Sequence, residues 1–488
     1  MKENDKALYD AFMAKDARFD GRFFVGISST GIYCRPVCKA KQPKAENCVF
    51  YRTAAEAERA GYRPCLLCRP EQAPGASITD ASANLVYRAT RILEENCGSG
   101  QSLDELSGQL GCTSRHLRRV FTAEYNVSPV QYLQTRRLLL AKNLLTDTNL
   151  SVLEVAMAAG FGSLRRFNYL FKKHYNLSPT DLRKRVSDDK THNVTLALGY
   201  RPPYPWEEML RFLAGRTISG VDMVRDSEYM RTARIMTTEG KYVFGWIRVG
   251  HKPEKNTLSV TVSETLLSVL PQVLARVRHL FDLYCDPVSV WETLKVMNDI
   301  HPGLFVLGTR LPGCFNVFEM VVRAVLGQQI TVKAASTLAA RIVDTYGMPV
   351  QTEIPGLSRV FPSPEDIIAL EGPVENHLGP LGVTTTRAKT IFELAQAIVQ
   401  GELDFDLPAQ PEEEIKKLMT IRGIGNWTAQ YISMRTMEWP DAFLETDVGV
   451  KKAFPANTSK ELLAMAEAWR PWRSYATISL WNTSFKEN

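Results

Sequence analysis

No stretch of this chain comes near the ~20 consecutive apolar residues that a membrane-spanning helix needs, although 45% of its 488 residues are hydrophobic. The N-terminus, MKENDKALYDAF, is charged and lacks the apolar core of a signal peptide. Both absences predict a cytoplasmic protein. In that compartment the nine cysteines are thiols or metal ligands rather than disulfides. Net charge is also scarce: 59 basic against 53 acidic side chains leave +6, too little to name a partner. Its distribution is uneven, however. Residues 113–185 carry thirteen Lys and Arg against four acids, a local +9 that leaves the remainder at −3. One basic module in an otherwise slightly acidic chain is the pattern of nucleic-acid binding, so nucleoid association is expected. The length allows three or four domains.

Four cysteines stand as Cys34-x3-Cys38 and Cys65-x2-Cys68, with 26 residues between the pairs. Two close pairs suit a tetrahedral Zn2+ site with four thiolates; chance spacing of buried thiols is the alternative. Cys48, between the pairs, is the spare thiol. Arg35, Lys39, Lys41, Lys44, Arg63 and Arg69 surround the ligands, and positive charge favours thiolates and phosphates alike. The strings FDGRFFVGISSTGIYCRPVCKAKQPKAENCVFY and AGYRPCLLCRPE resemble the metal-binding N-terminal domain of the Ada family. That resemblance implies a first ligand, Cys34, which accepts methyl groups from DNA phosphotriesters and thereby tightens promoter binding. It also implies DNA contacts at Thr30, Lys39, Lys41 and Arg63, two of them Lys where Arg is usual. A purely structural zinc site is the competing reading.

Residues about 80–186 repeat themselves. Phe121, Tyr125, Asn126, Ser128 and Pro129 recur fifty positions later as Phe171, Tyr175, Asn176, Ser178 and Pro179. Each unit reads as helix, glycine turn (Gly111, Gly160) and second helix, a helix-turn-helix. The second helix is the recognition element. It exposes Ser114, Arg115, Arg118 and Arg119 in one unit and Ser163, Arg165, Arg166 and Asn168 in the other. This module, to its ending HYNLSPTDLRKR, resembles the AraC/XylS DNA-binding domain, which the Ada family joins to its metal domain in this order. A basic helical bundle without sequence preference is the alternative.

After VSDDKTHN the composition shifts. NVTLALGYRPPYPWEEMLRFLAGR predicts strand, Pro-rich turn and helix; KYVFGWIRVG and NTLSVTVS predict strands; a helix follows over about 266–284. This small α+β unit, 192–300, holds no apparent catalytic constellation, and Trp206, Trp246 and Trp291 read as packing residues.

Helical periodicity then dominates 301–488. The stretch LMTIRGIGNWTAQYISMRTMEWPDAFLETDVGVKK, from Leu418, runs a helix into Gly423-Ile424-Gly425 and a second helix from Trp427 to about Met437. Two glycines permit a tight hairpin, and the second helix's N–H groups make a phosphate site. This pattern resembles the helix-hairpin-helix superfamily of base-excision DNA glycosylases. A Schiff-base lysine, where present in that superfamily, stands two residues after the second glycine; here Trp427 does. The resemblance is therefore to the AlkA type, without lyase activity: water is the nucleophile and Asp447 the essential carboxylate. Asp447 as a mere N-cap of the next helix is the bland alternative, and Glu445 the rival acid. The 192–300 unit resembles the AlkA N-terminal domain.

The same resemblance implies a base pocket of Trp427, Tyr431 and Trp481, an intercalating wedge at Gln329 where Leu is frequent, and Gln328 beside the unpaired partner base. On pattern alone those aromatics read as core, and the glutamines as a helix cap. N3- or N7-alkylated purines are cationic, and aromatic faces attract cations by roughly 0.5–2 kcal/mol each. Arg470, Arg473 and Lys451 read equally as phosphate contacts or solvated charge. The hairpin carbonyls offer a site for a monovalent cation or Mg2+.

The expected whole is multidomain, mainly α with α+β parts: a zinc-bound Ada-like domain (1–75), an AraC-type double helix-turn-helix (80–186), an AlkA N-terminal-like domain (192–300) and an all-α glycosylase domain (301–488). Its partners are double-stranded DNA, both alkylated sites and promoter, with RNA polymerase open as a further one. No Pro-Cys-His-Arg string occurs, so repair of O6-methylguanine is not expected. The reading from another class is a transcription factor whose C-terminal half binds damage without catalysis.

Overall fold

The computed structural model describes residues 3–74, 84–97, 101–183, 193–237, 240–405, 408 and 410–484. Most of the two expected linkers, and Lys184 and Arg185 of the basic run, lie outside the described residues. In the N-terminal unit, strands β1 (Phe24–Ile27), β2 (Ile32–Cys34), β3 (Cys48–Tyr51) and β4 (Arg63–Pro64) form a sheet in the order β3-β1-β2-β4. β2 and β4 run parallel, with Tyr33 opposite Pro64. That register sets the ends of the two strands side by side, where Cys34 and Cys65 stand. Phe12, Phe23, Val25 and Ile27 form the apolar floor beneath them.

The fifty-residue repeat is helix punctuation. Phe121 packs edge-on to Tyr125, and Phe171 to Tyr175, one turn apart at 5.1 and 4.7 Å. Asn126 and Asn176 then end the helices Ser114–Tyr125 and Leu164–Tyr175 in the left-handed conformation, φ +56° and +53°, which Asn tolerates. Ser128 caps the helix Pro129–Asp147, with Pro at its first position. Gly111 and Gly160 take φ +67° and +81° at the two turns.

Part of the basic charge is structural. Lys142 is 1% exposed and pairs with Glu71 at 2.6 Å, and Arg136 pairs with Glu94 at 3.2 Å. Arg69, one of the basic residues around the cysteine pairs, donates to Asn143 and Asp147 at 2.6 and 2.7 Å. Arg35 is likewise turned inward, its Nε donating to Asp20 at 2.9 Å.

The α+β unit is a five-stranded antiparallel sheet: β5 (Val194–Gly199), β6 (Asp222–Arg225), β7 (Glu228–Met236), β8 (Tyr242–Lys252) and β9 (Thr257–Val262), in the order β5-β9-β8-β7-β6. The sequence reading missed β6 and β7. Their hairpin turns at Asp226-Ser227, both at positive φ, without the glycine that signals such turns. Buried Arg231 also breaks the apolar alternation. The helix expected over 266–284 is a 3-10 turn, Glu264–Val269, followed by an α-helix, Leu270–Leu280, with Pro271 in its first turn. Trp206 and Trp246 are buried, and Trp291 packs against the same core as Trp206.

The C-terminal helices fall into two cores. One holds the helix Val317–Leu326 and the first hairpin helix, Pro411–Thr420. In the other, Phe443, Trp469, Tyr475 and Trp481 pack with the sheet of the α+β unit. Tyr431 touches both cores, so it marks their seam.

The N-terminal half shares an apolar core with this body, Leu138, Leu144 and Phe171 lying in one cluster with Leu196 and Phe281, and is also tied to it by charge. Arg91, on the helix Asn84–Glu95, donates to both oxygens of Glu438 at 2.8 and 2.5 Å and lies 3.6 Å from the centre of the Tyr284 ring. One turn on, Glu94 accepts from Tyr132 at 2.7 Å and from Tyr284 at 3.3 Å. Removing one member of a buried ion pair strands the other. Arg91→Met is therefore expected to lower stability by ~3–5 kcal/mol in urea unfolding, and Arg91→Met with Glu438→Leu to recover most of it.

Candidate active site and metal centre

The second hairpin helix spans Asn426–Thr436, with Gly425 as its N-cap. Of the two hairpin glycines only Gly423 needs its freedom. Its φ is +92°, and a Cβ there would meet Thr390 Oγ1 at 2.4 Å, the hydroxyl that donates to the Arg422 carbonyl at 2.7 Å. Gly425 has ordinary dihedrals and open space where a Cβ would sit. No side chain caps this helix start, so its first turn is presented bare. Gly423→Ala combines positive φ with that clash; affinity for DNA is expected to fall at least tenfold in fluorescence anisotropy while base-pocket residues keep their places.

Asp447 caps the helix Val448–Ala453: Oδ1 accepts from Gly449 N at 2.7 Å and from Val450 N at 3.2 Å. The same carboxylate receives two indoles. Trp481 Nε1 donates to Oδ1 at 2.7 Å, and Trp427 Nε1 to Oδ2 at 3.2 Å. Capping and site-building are thus one arrangement, with the acid half-exposed and oriented from both sides. Trp427 and Tyr431, one turn apart, stack at 5.2 Å and 12°. Tyr431 lies 6.2 Å from Trp481. Glu445 faces elsewhere, accepting from Asn426 at 3.3 Å.

Two neighbours escaped the sequence reading. Phe212, from the α+β unit, stacks on Trp481 at 6.4 Å and 15°, so that unit does contribute a wall. Gly449 makes room: a Cβ there would meet Trp481 Cδ1 at 2.6 Å. Nothing local signals Phe212, whereas the Asp-x-Gly spacing at a helix start was a readable cue.

The break between the helices Val317–Leu326 and Val332–Tyr346 is latched to the hairpin. Gln328 Nε2 donates to the Gly423 carbonyl at 2.8 Å and to Thr428 Oγ1 at 3.0 Å. Gln329 is exposed, at φ +56°. Neither glutamine caps the following helix; Thr331 does, accepting from Ala334 N at 3.2 Å. Arg470 and Arg473 are paired with Asp441, with Arg473 Nε donating at 2.7 Å, and Arg470 remains exposed. Lys451 is exposed.

In the N-terminal unit the sulfurs of Cys34, Cys38, Cys65 and Cys68 all lie within 4.8 Å of one another. Four thiolates around Zn2+ at ~2.3 Å put sulfurs about 3.8 Å apart, so the set fits that ion after slight contraction. Cys48 is outside the cluster. The sulfurs differ in their surroundings. The Arg35 N–H donates to Cys68 at 3.3 Å, and backbone N–H groups of Ala40 and Cys68 face Cys38 and Cys65. No backbone donor to the Cys34 sulfur is found among the described residues. Cys34 is 2% exposed, whereas Cys68 is half-buried. Thr30, Lys39 and Lys41 are exposed and Arg63 partly so; Arg115, Arg118, Arg165 and Arg166 are exposed on their helices. Among the described residues, no helix is long and apolar enough to cross a membrane.

Four families match in succession: the metal binding domain of Ada at residues 7–71, a helix-turn-helix domain at 106–185, the AlkA N-terminal domain at 195–316, and the HhH-GPD superfamily of base excision DNA repair proteins at 322–472. A probable bifunctional transcriptional activator/DNA repair enzyme AlkA from Mycobacterium tuberculosis is 34% identical over 99% of this chain and 97% of its own. The DNA-3-methyladenine glycosylase 2 of Escherichia coli is 37% identical over 59% of this chain and 96% of its own. The bifunctional transcriptional activator/DNA repair enzyme AdaA of Bacillus subtilis is 29% identical over 38% and 85%. With full-length similarity and all four domains in order, the chain belongs to the family of AlkA-type bifunctional transcriptional activator/DNA repair proteins.

Proposed function

We propose that the C-terminal half hydrolyses the N-glycosidic bond of alkylated purines, 3-methyladenine and 7-methylguanine among them, by a glycosylase reaction without lyase activity. The observation that carries this is the double indole clamp on Asp447 beside the stacked Trp427–Tyr431 wall. A purine flipped out of the duplex lies against those rings. Its positive charge makes it a good leaving group, so protonation by a general acid is not needed. Asp447 stabilises the cationic sugar or activates the attacking water. Trp427 occupies the place of a Schiff-base lysine and offers no amine. Gln329, exposed at the edge of the break, fills the vacated stack, and the Gly423–Gly425 hairpin holds the phosphate backbone. The amide of Gln328 is engaged by the hairpin, which leaves its side-chain oxygen to contact the partner base.

The N-terminal half, on this reading, senses methyl damage and binds promoter DNA. Zinc, when bound, keeps the cysteine sulfurs deprotonated at neutral pH. Cys34, the sulfur without a backbone donor, is then the strongest nucleophile and the methyl acceptor. Thr30, Lys39, Lys41 and Arg63 hold the DNA backbone there, and Arg115, Arg118, Arg165 and Arg166 meet DNA from the two recognition helices. The four units are assigned to 1–75, 80–186, 192–300 and 301–488. Base release from methylated duplex DNA, followed by chromatography of the free bases, tests the catalytic half; binding without release would leave a damage-binding transcription factor.

A further inference from the structure

Behind the pocket wall, Tyr431 turns its hydroxyl into a nest of guanidinium groups. Arg435, one turn along the same helix and 4% exposed, donates from Nη1 to the phenolic oxygen at 2.9 Å. The rest of Arg435 is fixed across the seam: Nε donates to the Pro312 carbonyl at 2.5 Å and Nη2 to that of Gly313 at 2.9 Å. Arg216, whose guanidinium lies 3.7 Å from the Phe212 ring centre, lines the same cleft as Tyr431. Arg323 backs Arg216, donating to its carbonyl oxygen. A guanidinium only donates. Arg435 thus occupies a lone-pair position of the oxygen with a fixed positive charge, and no protein acceptor for a phenolic proton is found among the described residues.

The charge around this oxygen points the same way. The cleft behind it is lined by Arg216, Arg231, Arg323 and Arg435 against the carboxylates Glu319 and Asp222. Glu319 is taken by Arg231 at 2.7 Å and Arg323 at 3.3 Å, and Asp222 by the Ile218 N–H and the Tyr229 hydroxyl at 2.6 and 3.0 Å. Cys314 also lines the cleft, His279 lies against Gly313, and Asp447 stands beyond Trp427. Four cations against two anions is a poor backing for a pocket that must hold a cationic base, unless one more anion is present. Burial acts to raise the Tyr431 phenol, but Arg435, Arg216 and Arg323 outweigh it and hold the phenol below its ordinary range.

We propose that Tyr431 gives up its phenolic proton to solvent in the folded protein and serves the base pocket as a tyrosinate counter-ion. The anion makes the pocket select cationic alkylated purines over neutral damaged bases. The selection rests on the glycosylase reading above; the ionisation does not.

An ultraviolet pH titration of the full-length protein and of Tyr431→Phe tests the first part. The expected result is one tyrosinate band in the wild type that appears at lower pH than the other tyrosines, is missing from Tyr431→Phe, and moves to higher pH in Arg216→Gln. No early band, or one retained in Tyr431→Phe, overturns the ionisation. For the second part, the rate of 7-methylguanine release divided by that of neutral hypoxanthine is expected to fall on the order of tenfold in Tyr431→Phe. In the wild type the ratio should fall as pH drops through the Tyr431 titration. A ratio unchanged in the variant and flat with pH overturns the selection. A wild-type protein that shows the band but releases no base overturns the glycosylase reading and the selection built on it, with the ionisation left standing.

Discussion

Asp447→Asn is expected to lose base release by on the order of 10³-fold or more, with binding to abasic or methylated duplex DNA unchanged. The choice of Asn separates the two roles of the residue. Asn is as good an N-cap as Asp, and its side-chain oxygen still accepts from Gly449, Val450 and one indole. The helix start therefore stays as it is, and the melting temperature falls only slightly, since the Trp427 indole loses the second oxygen as its acceptor. What disappears is the negative charge that the proposed reaction sets against the sugar. An Ala replacement would not make this distinction, since it removes the cap and strands two buried indole donors. Wild-type turnover by Asp447→Asn would sink the catalytic assignment and move attention to Glu445, the nearest other acid, which is occupied with Asn426.

Cys34→Ser is expected to abolish methyl transfer from methyl-phosphotriester DNA, whereas wild-type protein gains one methyl mass on the peptide that contains Cys34. The competition lies between nucleophilicity and access. Cys68 is the more exposed residue, but its sulfur accepts the Arg35 N–H at 3.3 Å, and a thiolate that accepts a hydrogen bond is the weaker nucleophile. Cys34 has no such donor among the described residues and is 2% exposed. Peptide mapping decides: a methyl on Cys68, or on no cysteine, defeats the assignment. Methylation turns one thiolate into a neutral thioether and removes a negative charge close to exposed Lys39 and Lys41. DNA affinity then rises, most visibly at low salt.

Which parts of this were legible beforehand follows from where the constraint lies. The four clustered cysteines come as two short-range pairs, the repeat is spelled in helix caps, and the hairpin is announced by a glycine whose φ of +92° other residues resist. Asp447, Trp427, Tyr431 and Trp481 were named from motif likeness, and the structure gathers them around one carboxylate. The strands β6 and β7 were not legible, because an Arg-rich buried strand and a glycine-free turn resemble a loop. Nor was the partner of Arg470 and Arg473 legible: a carboxylate 29 and 32 residues upstream, Asp441, pairs with both.

By itself, then, the sequence determined the order of the modules, the spacing of the four clustered cysteines and the hairpin, since each is fixed by residues a few positions apart whose backbone or bonding demands are local. Only the tertiary structure decided what faces what. It put Phe212 beside Trp481, tied Arg435 to Gly313 and closed Arg91 on Glu438, contacts that span 122 residues at Gly313 and 347 at Arg91. Such contacts arise when separate apolar surfaces bury each other and the charges between them must find partners away from water. No local pattern records which surface will meet which.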